Sequence, residues 1–420
     1  MPFHRFIVGH VLDALRALPD GSVHCVVTSP PYWGLRDYGL PPVVWPEVEY
    51  SPMPGLPPLR VPAWEGQLGL EPVPEMYVGH LVLVFREVRR VLRKDGTLWL
   101  NIGDSYNGSG GAGGDYLPGG RREGQPRYPG RKVGALKHKD LAGIPWRVAF
   151  ALEADGWWLR ADCVWSKPNC LPESVKDRPT RSHEYVFLLT KSERYFYDAV
   201  AVREPGSPNS HGGGIAHVGR KVAVLGGLGR QSGLYTTTPA GESGRNRRSV
   251  WEICTEPFPG AHFATFPRAL AELCIRAGTS EGGCCPNCGA PWVRDAEYRV
   301  PEGAGERRET EPWNAGTGLR PHSGYRGAAV VVDRGFRPGC SCPGNDGSGR
   351  CVVLDPFGGS GTTTLAAALL GRDSVYIDLK REYAEMALER CGFDQDMFNS
   401  WELLEISSSL KASGSRDRKE

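Results

Sequence analysis

One stretch limits the fold more than any other: Val352-Val353-Leu354-Asp355-Pro356-Phe357-Gly358-Gly359-Ser360-Gly361-Thr362-Thr363. An apolar run ends in a glycine-rich turn, and a helical pattern at Leu365–Leu370 follows. A second apolar run, Ser374-Val375-Tyr376-Ile377, comes next and ends at Asp378. Strand, tight turn, helix, strand is the repeating unit of a parallel sheet. The glycines let the backbone approach a bound molecule closely. A carboxylate at the end of the second strand is placed to accept from two ribose hydroxyls. The bland reading of Asp378 is a cap for a helix at 381–390. The turn is not a P-loop, because the Gly-Lys-Ser/Thr ending is absent, and it does not match GxGxxG closely.

A second stretch near the other end has the same strand-then-break character. His24-Cys25-Val26-Val27 runs into Thr28-Ser29-Pro30-Pro31-Tyr32-Trp33. Two prolines remove two backbone donors and stop the strand. A rigid ledge remains, with carbonyls, one hydroxyl and a ring, suited to gripping a planar group that carries an exocyclic amine. An ordinary Pro-Pro turn is the alternative.

Between these stretches the helix–strand rhythm continues. A short strand and a helix fit residues 6–19, with Val11, Leu12, Leu15 and Leu18 at helical spacing. Residues 34–66, rich in proline and tryptophan, read as a long ordered loop. A helix fits 75–93, ended by Asp95-Gly96, and Thr97–Ile102 reads as a buried strand running into Gly103-Asp104. A helix at 140–155, strands at 161–166 and 184–190, and a helix at 268–277 complete an α/β pattern. Cys170, in Lys167-Pro168-Asn169-Cys170, reads as a structural thiol rather than a nucleophile.

Charge matters by its distribution, since the net value is only +2. Residues 107–139 carry Arg121, Arg122, Arg127, Arg131, Lys132, Lys137 and Lys139 in a glycine-rich background. Residues 205–249 carry Arg220, Lys221, Arg230, Arg245, Arg247 and Arg248 against Glu242. Loops of this kind suit phosphate contacts. With 40% hydrophobic and 23% charged residues the chain is globular on average. No apolar run approaches a membrane span, and the first residues lack the apolar centre of a signal peptide, so a cytoplasmic protein is expected. Twelve cysteines there suggest thiols and metal ligands rather than disulfides. Cys285-Pro286-Asn287-Cys288 is a CxxC knuckle, and Cys340-Ser341-Cys342 supplies a second pair. Cys285, Cys288, Cys340 and Cys342 together can close a tetrahedral structural Zn²⁺ site, with Cys284 as a spare.

With these residues in view, the chain resembles the amino-group DNA methyltransferases that depend on S-adenosylmethionine, in the circularly permuted β order of bacterial and phage modification methylases. Thr28-Ser29-Pro30-Pro31-Tyr32-Trp33 and Asp355-Pro356-Phe357-Gly358-Gly359-Ser360-Gly361-Thr362 carry the resemblance. His262-Phe263-Ala264-Thr265-Phe266-Pro267 is similar to the family's cofactor-side motif. The implied fold is α/β, a doubly wound, mostly parallel Rossmann-like sheet with one antiparallel strand, a zinc-ribbon-like insertion and basic loops.

The implied division of the chain is a catalytic half at 1–106, a basic loop at 107–139, continued core at 140–204 and a candidate target-recognition segment at 205–250. The cofactor-side motif follows at 251–279, then a Cys-rich insertion at 280–350, the S-adenosylmethionine-binding half at 351–406 and a disordered tail at 407–420. Ser29, Pro30, Pro31 and Tyr32 would be catalytic. Asp355, Pro356, Phe357, Gly358, Gly359, Gly361, Thr362, Asp378, Phe263, Thr265 and Phe266 would bind the cofactor. The implied substrate is double-stranded DNA, with the target base flipped out and its amine attacking the methyl group directly. In this resemblance Ser-Pro-Pro-Tyr points to cytosine N4, with adenine N6 as the alternative. A nucleoid-associated enzyme and a separately encoded restriction endonuclease as partner would follow. The rival classes are a methyltransferase for RNA or protein and a non-catalytic zinc module that binds DNA.

Overall fold

The computed structural model describes residues 1–108, 134, 136–170, 172–204, 215–218, 234–237, 245–256, 265–299, 330–393 and 399–407. The chain opens with β1 (Phe3–Val8), α1 (Val11–Arg16) and β2 (Val23–Thr28). Four short strands follow: β3 (Val43–Trp45), β4 (Val48–Tyr50), β5 (Leu59–Val61) and β6 (Trp64–Gly66). Next come α2 (Pro74–Val91), β7 (Leu92–Ile102), α3 (Ile144–Ala154), β8 (Trp158–Ser166) and β9 (His183–Thr190). A hairpin of β10 (Ile215–Val218) and β11 (Leu234–Thr237) precedes β12 (Val250–Glu252) and α4 (Arg268–Gly278). A second hairpin, β13 (Val293–Arg299) with β14 (Val330–Arg337), leads to β15 (Val352–Asp355), α5 (Thr362–Leu369), β16 (Asp373–Asp378), α6 (Arg381–Cys391) and β17 (Ser400–Glu405).

Nine strands form one sheet in the order β12-β8-β9-β7-β2-β15-β16-β1-β17. Every neighbouring pair is parallel except those made by β9, which runs against both β7 and β8. The inner strands are buried on both faces, and β2 shows no exposed position. One core gathers Leu12, Leu15, Leu81, Phe85, Val148 and Leu152 from α1, α2 and α3. The other gathers Leu270, Cys274, Ala366 and Ala367 from α4 and α5. Helices therefore cover both faces, and the sheet is doubly wound. The winding reverses between β2 and β15: the chain leaves β2 through α2 for β7 on one side, and leaves β15 through α5 for β16 on the other. Ligands bind at the strand carboxyl ends of such a reversal.

Several expectations need correction. The helix expected over 75–93 ends at Val91, and Asp95-Gly96 lies inside β7 instead of closing the helix. A Cβ at Gly96 would lie 2.6 Å from the Leu92 side chain and 2.9 Å from the His24 carbonyl, so the glycine serves a close approach. Residues 34–66 are more than a loop, since β3 pairs with β6 and β4 with β5. Proline density hid those strands. Strand β17 had no apolar alternation to announce it; its half-exposed edge position explains why. The expected basic loop falls almost wholly outside the described residues, as do most of 205–249 and the tail beyond 407.

Candidate functional site

Strand β2 delivers the ledge. Pro30 is buried, while Ser29, Pro31 and Tyr32 are half-buried. Three contacts lock the backbone after the two prolines: Tyr77 donates its hydroxyl to the Pro31 carbonyl at 2.8 Å, the Trp33 indole donates to the Glu71 carbonyl at 3.0 Å, and Gly34 N donates to the Gly69 carbonyl at 2.8 Å. The Pro30 carbonyl accepts from no donor among the described residues. The Tyr32 ring lies on Gly103, where a Cβ would come within 2.5 Å of the ring. Its hydroxyl joins a polar cluster: it donates to Glu184 Oε2 at 2.8 Å and lies 3.1 Å from Asn101 Oδ1, and Ser29 Oγ donates to it at 3.2 Å. Burial and the Glu184 charge push the Tyr32 phenol well above its usual range, so it stays neutral.

Strand β15 delivers the glycine turn one strand away. Asp355, 1% exposed, accepts from Thr28 Oγ1 and Thr363 Oγ1 at 2.7 Å each and from Phe357 N at 3.1 Å. The Thr28–Asp355 bond ties the ledge to the turn across the winding reversal. The Asp355 carboxylate is thus enclosed by the turn it supports, and Thr362 likewise accepts from Arg390 at 2.8 Å. Gly358 N donates to the Ile377 carbonyl at 2.8 Å, and a Cβ on Gly358 would lie 2.2 Å from the Tyr376 ring. Gly359 and Gly361 take φ of +49° and +76°, in the left-handed region.

Asp378 closes this side. Its Oδ2 accepts from Gly359 N at 2.9 Å and its Oδ1 from Lys380 N at 3.0 Å. It therefore holds the glycine turn as well as the approach to α6. Burial pushes both Asp355 and Asp378 up to about 6. Burial also raises the Tyr38 and Tyr383 phenols, and the Asp378 charge adds to it, so both rings lie near that carboxylate. Thr265 and Phe266 lie half-buried before α4, with Phe266 packed on the second core. Phe263 lies outside the described residues.

Sequence reading missed Asn101, Glu184, Lys167 and Arg390. Lys167 donates to Glu184 Oε1, and its ammonium stands 4.2 Å over the Trp165 ring. Arg390 donates to Ser360 Oγ and Thr362 Oγ1 at 2.8 Å each. A charged Glu184 opening an apolar strand was the one visible signal.

The four thiols of Cys285, Cys288, Cys340 and Cys342 converge, with all sulfurs within 4.8 Å of one another and Cys288 3.5 Å from Cys340. The Ala290 N–H, followed by the Cys340 thiol, pulls Cys288 down to about 7. A separate group, His24, Cys284 and Cys351, is buried. His24 is not free to bind there, because one ring nitrogen contacts the Gly289 carbonyl at 2.8 Å and the other accepts from Val352 N at 3.0 Å.

Two turns on adjacent parallel strands, joined by a buried hydrogen bond, lie side by side at the winding reversal. The pattern of the DNA methylase family (N6_N4_Mtase) matches residues 23–285 and 348–389. The type II methyltransferase M.SmaI of Serratia marcescens is 37% identical over 92% of this chain and 90% of its own length. M.XycI of Xanthomonas campestris pv. cyanopsidis is 47% identical over 65% of this chain and 72% of its own, and M.Cfr9I of Citrobacter freundii 45% identical over 65% and 72%. The solved PvuII DNA methyltransferase (cytosine-N4-specific) shares 17% identity over 93% of this chain and 88% of its own, with a TM-score of 0.47. The chain belongs to the DNA methylase family, whose members methylate exocyclic amines. No helix among the described residues is long and apolar enough to cross a membrane.

Proposed function

We propose that the protein transfers a methyl group from S-adenosylmethionine to N4 of cytosine within a specific site of double-stranded DNA. The observation that carries the reading is the Thr28–Asp355 bond, which holds the Ser29–Tyr32 ledge beside the Gly358–Gly361 turn. The turn suits the methyl donor: Gly359 takes a left-handed φ, a Cβ there would meet nothing nearer than the Phe357 carbonyl at 4.0 Å, and the half-buried Asp378 carboxylate stands at the strand end where a ribose would be held. S-adenosylmethionine supplies a methyl group on a positively charged sulfur. Phe357, Gly358 and Gly359 would hold its amino-acid part, Asp378 its ribose, and Thr265 and Phe266 the far side of the pocket.

The amine of a paired base cannot reach that pocket, so the base is flipped out. Tyr32 would stack on it, with the ring held by Gly103 behind and by its hydroxyl. Ser29 Oγ and the Pro30 carbonyl accept from the amine, which draws nitrogen toward a pyramidal geometry and frees its lone pair. Attack is direct and in line, and positioning carries the rate. The choice of cytosine rests on the Ser-Pro-Pro-Tyr resemblance, since the exocyclic amines of cytosine and adenine both adjoin a ring acceptor. Segments 107–139 and 205–250 are the candidate DNA-contacting and target-recognition regions. Mass analysis of nucleosides from treated DNA tests the reading: N4-methylcytosine is expected, and N6-methyladenine alone would establish the adenine alternative.

The tetrathiol cluster fits a structural Zn²⁺, being four soft ligands on tight turns. Purified protein should carry about one zinc ion per chain, and Cys285→Ser should lose it. A separately encoded restriction endonuclease would be the biological partner; cells exposed to it should survive only when this protein has modified their DNA.

A further inference from the structure

Direct attack leaves a problem that the ledge alone does not solve. When the amine's lone pair forms the N–CH₃ bond, the C–S bond breaks and its electron pair stays on sulfur. The product nitrogen then carries one proton too many. Ser29 is a hydroxyl and cannot keep that proton, and Tyr32 is a neutral phenol. Beneath the ledge Asp355 is closed off by three donors.

Another carboxylate is joined to the ledge. Glu184, at the start of the antiparallel strand β9, accepts from Tyr32 at 2.8 Å through Oε2. Asn101 Nδ2, from β7, lies 3.2 Å from the same oxygen. Glu184 Oε1 accepts from Lys167, and both side chains are only 17% exposed. Burying such a pair costs desolvation, and a neutral residue could anchor a tyrosine without that cost. The hydrogen bonds are continuous: Ser29 Oγ donates to Tyr32 Oη, and Tyr32 donates to Glu184. Among the described residues, Arg181 before β9 and His183 at its first position also lie beside Glu184, and Arg181 in turn stands 3.9 Å from Asp104. Burial and Arg181 push His183 below its usual range, so it is not the cation that balances Glu184.

We propose that Glu184 is a positioning residue for methyl transfer, holding the Ser29–Tyr32 hydroxyl chain as the outlet for the proton released by the target amine. The amine gives its extra proton to Ser29 Oγ, Ser29 gives its own to Tyr32, and Tyr32 gives its own to Glu184 Oε2. Both hydroxyls end as they began, and Glu184 ends as a neutral acid beside Lys167 until solvent takes the proton. The inference rests on the amino-group reading of the site, but not on which base is methylated.

Single-turnover methylation across pH tests it. Glu184→Gln keeps an oxygen acceptor for Tyr32 but cannot take a proton. Its methyl-transfer rate should fall by about 10²-fold or more, the acid limb of the pH–rate profile should vanish, and S-adenosylmethionine affinity by calorimetry should stay within about twofold. Glu184→Asp should recover part of the rate and the limb. Lys167→Met keeps the carboxylate and removes its counter-charge, so the acid limb should move to higher pH. A Glu184→Gln enzyme with the wild-type rate and limb would overturn the inference. If that variant fails to bind cofactor, an unshifted limb in Lys167→Met overturns it instead. Wild-type protein that methylates no exocyclic amine would sink the amino-group reading itself, an outcome read separately from the variants.

Discussion

At the residue scale the site depends on a few side chains with no spare contacts. Ser29→Ala and Tyr32→Ala should each reduce methylation by about 10²-fold or more while sparing cofactor binding, because neither residue supports the glycine turn. Filter-bound radiolabelled DNA measures the first effect and calorimetry the second. Asp355 gives a pH signature. Its carboxyl is raised from 3.8 to about 6 by burial, so the folded state holds the proton more tightly than the unfolded chain. Its contribution to stability is present in full below about pH 4 and is lost as pH rises through about 6. On the proposed placement, S-adenosylmethionine would bring positive charge near Asp355 and Asp378 and favour their ionised forms. Cofactor binding near pH 6 should therefore release protons, and affinity should rise with pH through that range. Calorimetry in buffers of different ionisation enthalpy would detect it; a buffer-independent enthalpy at pH 6 would count against it.

At the element scale, the strand β15–turn–helix α5 unit was legible because its signals are local. Apolar run, glycine turn and small-residue helix all fall within one short span, and each needs only its neighbours to form. The bounds of α2 and β7 were less legible. Asp95-Gly96 carries a strong turn signal and lies where the register of β7 on β2 breaks between Leu92 and Thr97, so the signal marks an irregularity inside the strand rather than the end of the helix. Gly358 tests the turn. Gly358→Ala sets a methyl group 2.2 Å from the Tyr376 ring, which is fully buried and tied by its hydroxyl to the Gly359 carbonyl. The ring has nowhere to move, so urea denaturation should show a loss of about 1–3 kcal/mol, with weaker cofactor binding. An unchanged denaturation midpoint would contradict this packing.

At the scale of the whole molecule, the sheet separates two tasks. The ledge and glycine turn sit at the carboxyl ends of parallel strands, and Glu184 joins them from the start of the antiparallel strand β9. The tetrathiol cluster is fastened at the opposite end, where His24 near the start of β2 meets Gly289 and Arg93 reaches the Cys288 carbonyl at 2.7 Å. Arg294 ties the hairpin base to Asp198 at 2.9 Å. Metal held there would brace the join between α4 and β15 without touching substrate. Chelation should thus lower the melting temperature by about 1–2 °C, as a loss of about 1–2 kcal/mol does in a protein of this size. Residual activity at low temperature should persist. Immediate loss of single-turnover chemistry without any change in melting temperature would argue for a catalytic metal instead.

The sequence alone determined the alternation of strands and helices, the two motif-bearing turns and the cysteine pairs, because each is written in contiguous residues. Periodicity and Gly/Pro chemistry act over a turn or two of chain, and so they can be read there. Only the tertiary structure decided that Thr28 bonds Asp355 across most of the chain's length, that Glu184 meets Tyr32, and that His24 is consumed by Gly289 and Val352. Such pairs arise when a winding reversal sets distant strands side by side, and no local preference of either residue announces its partner.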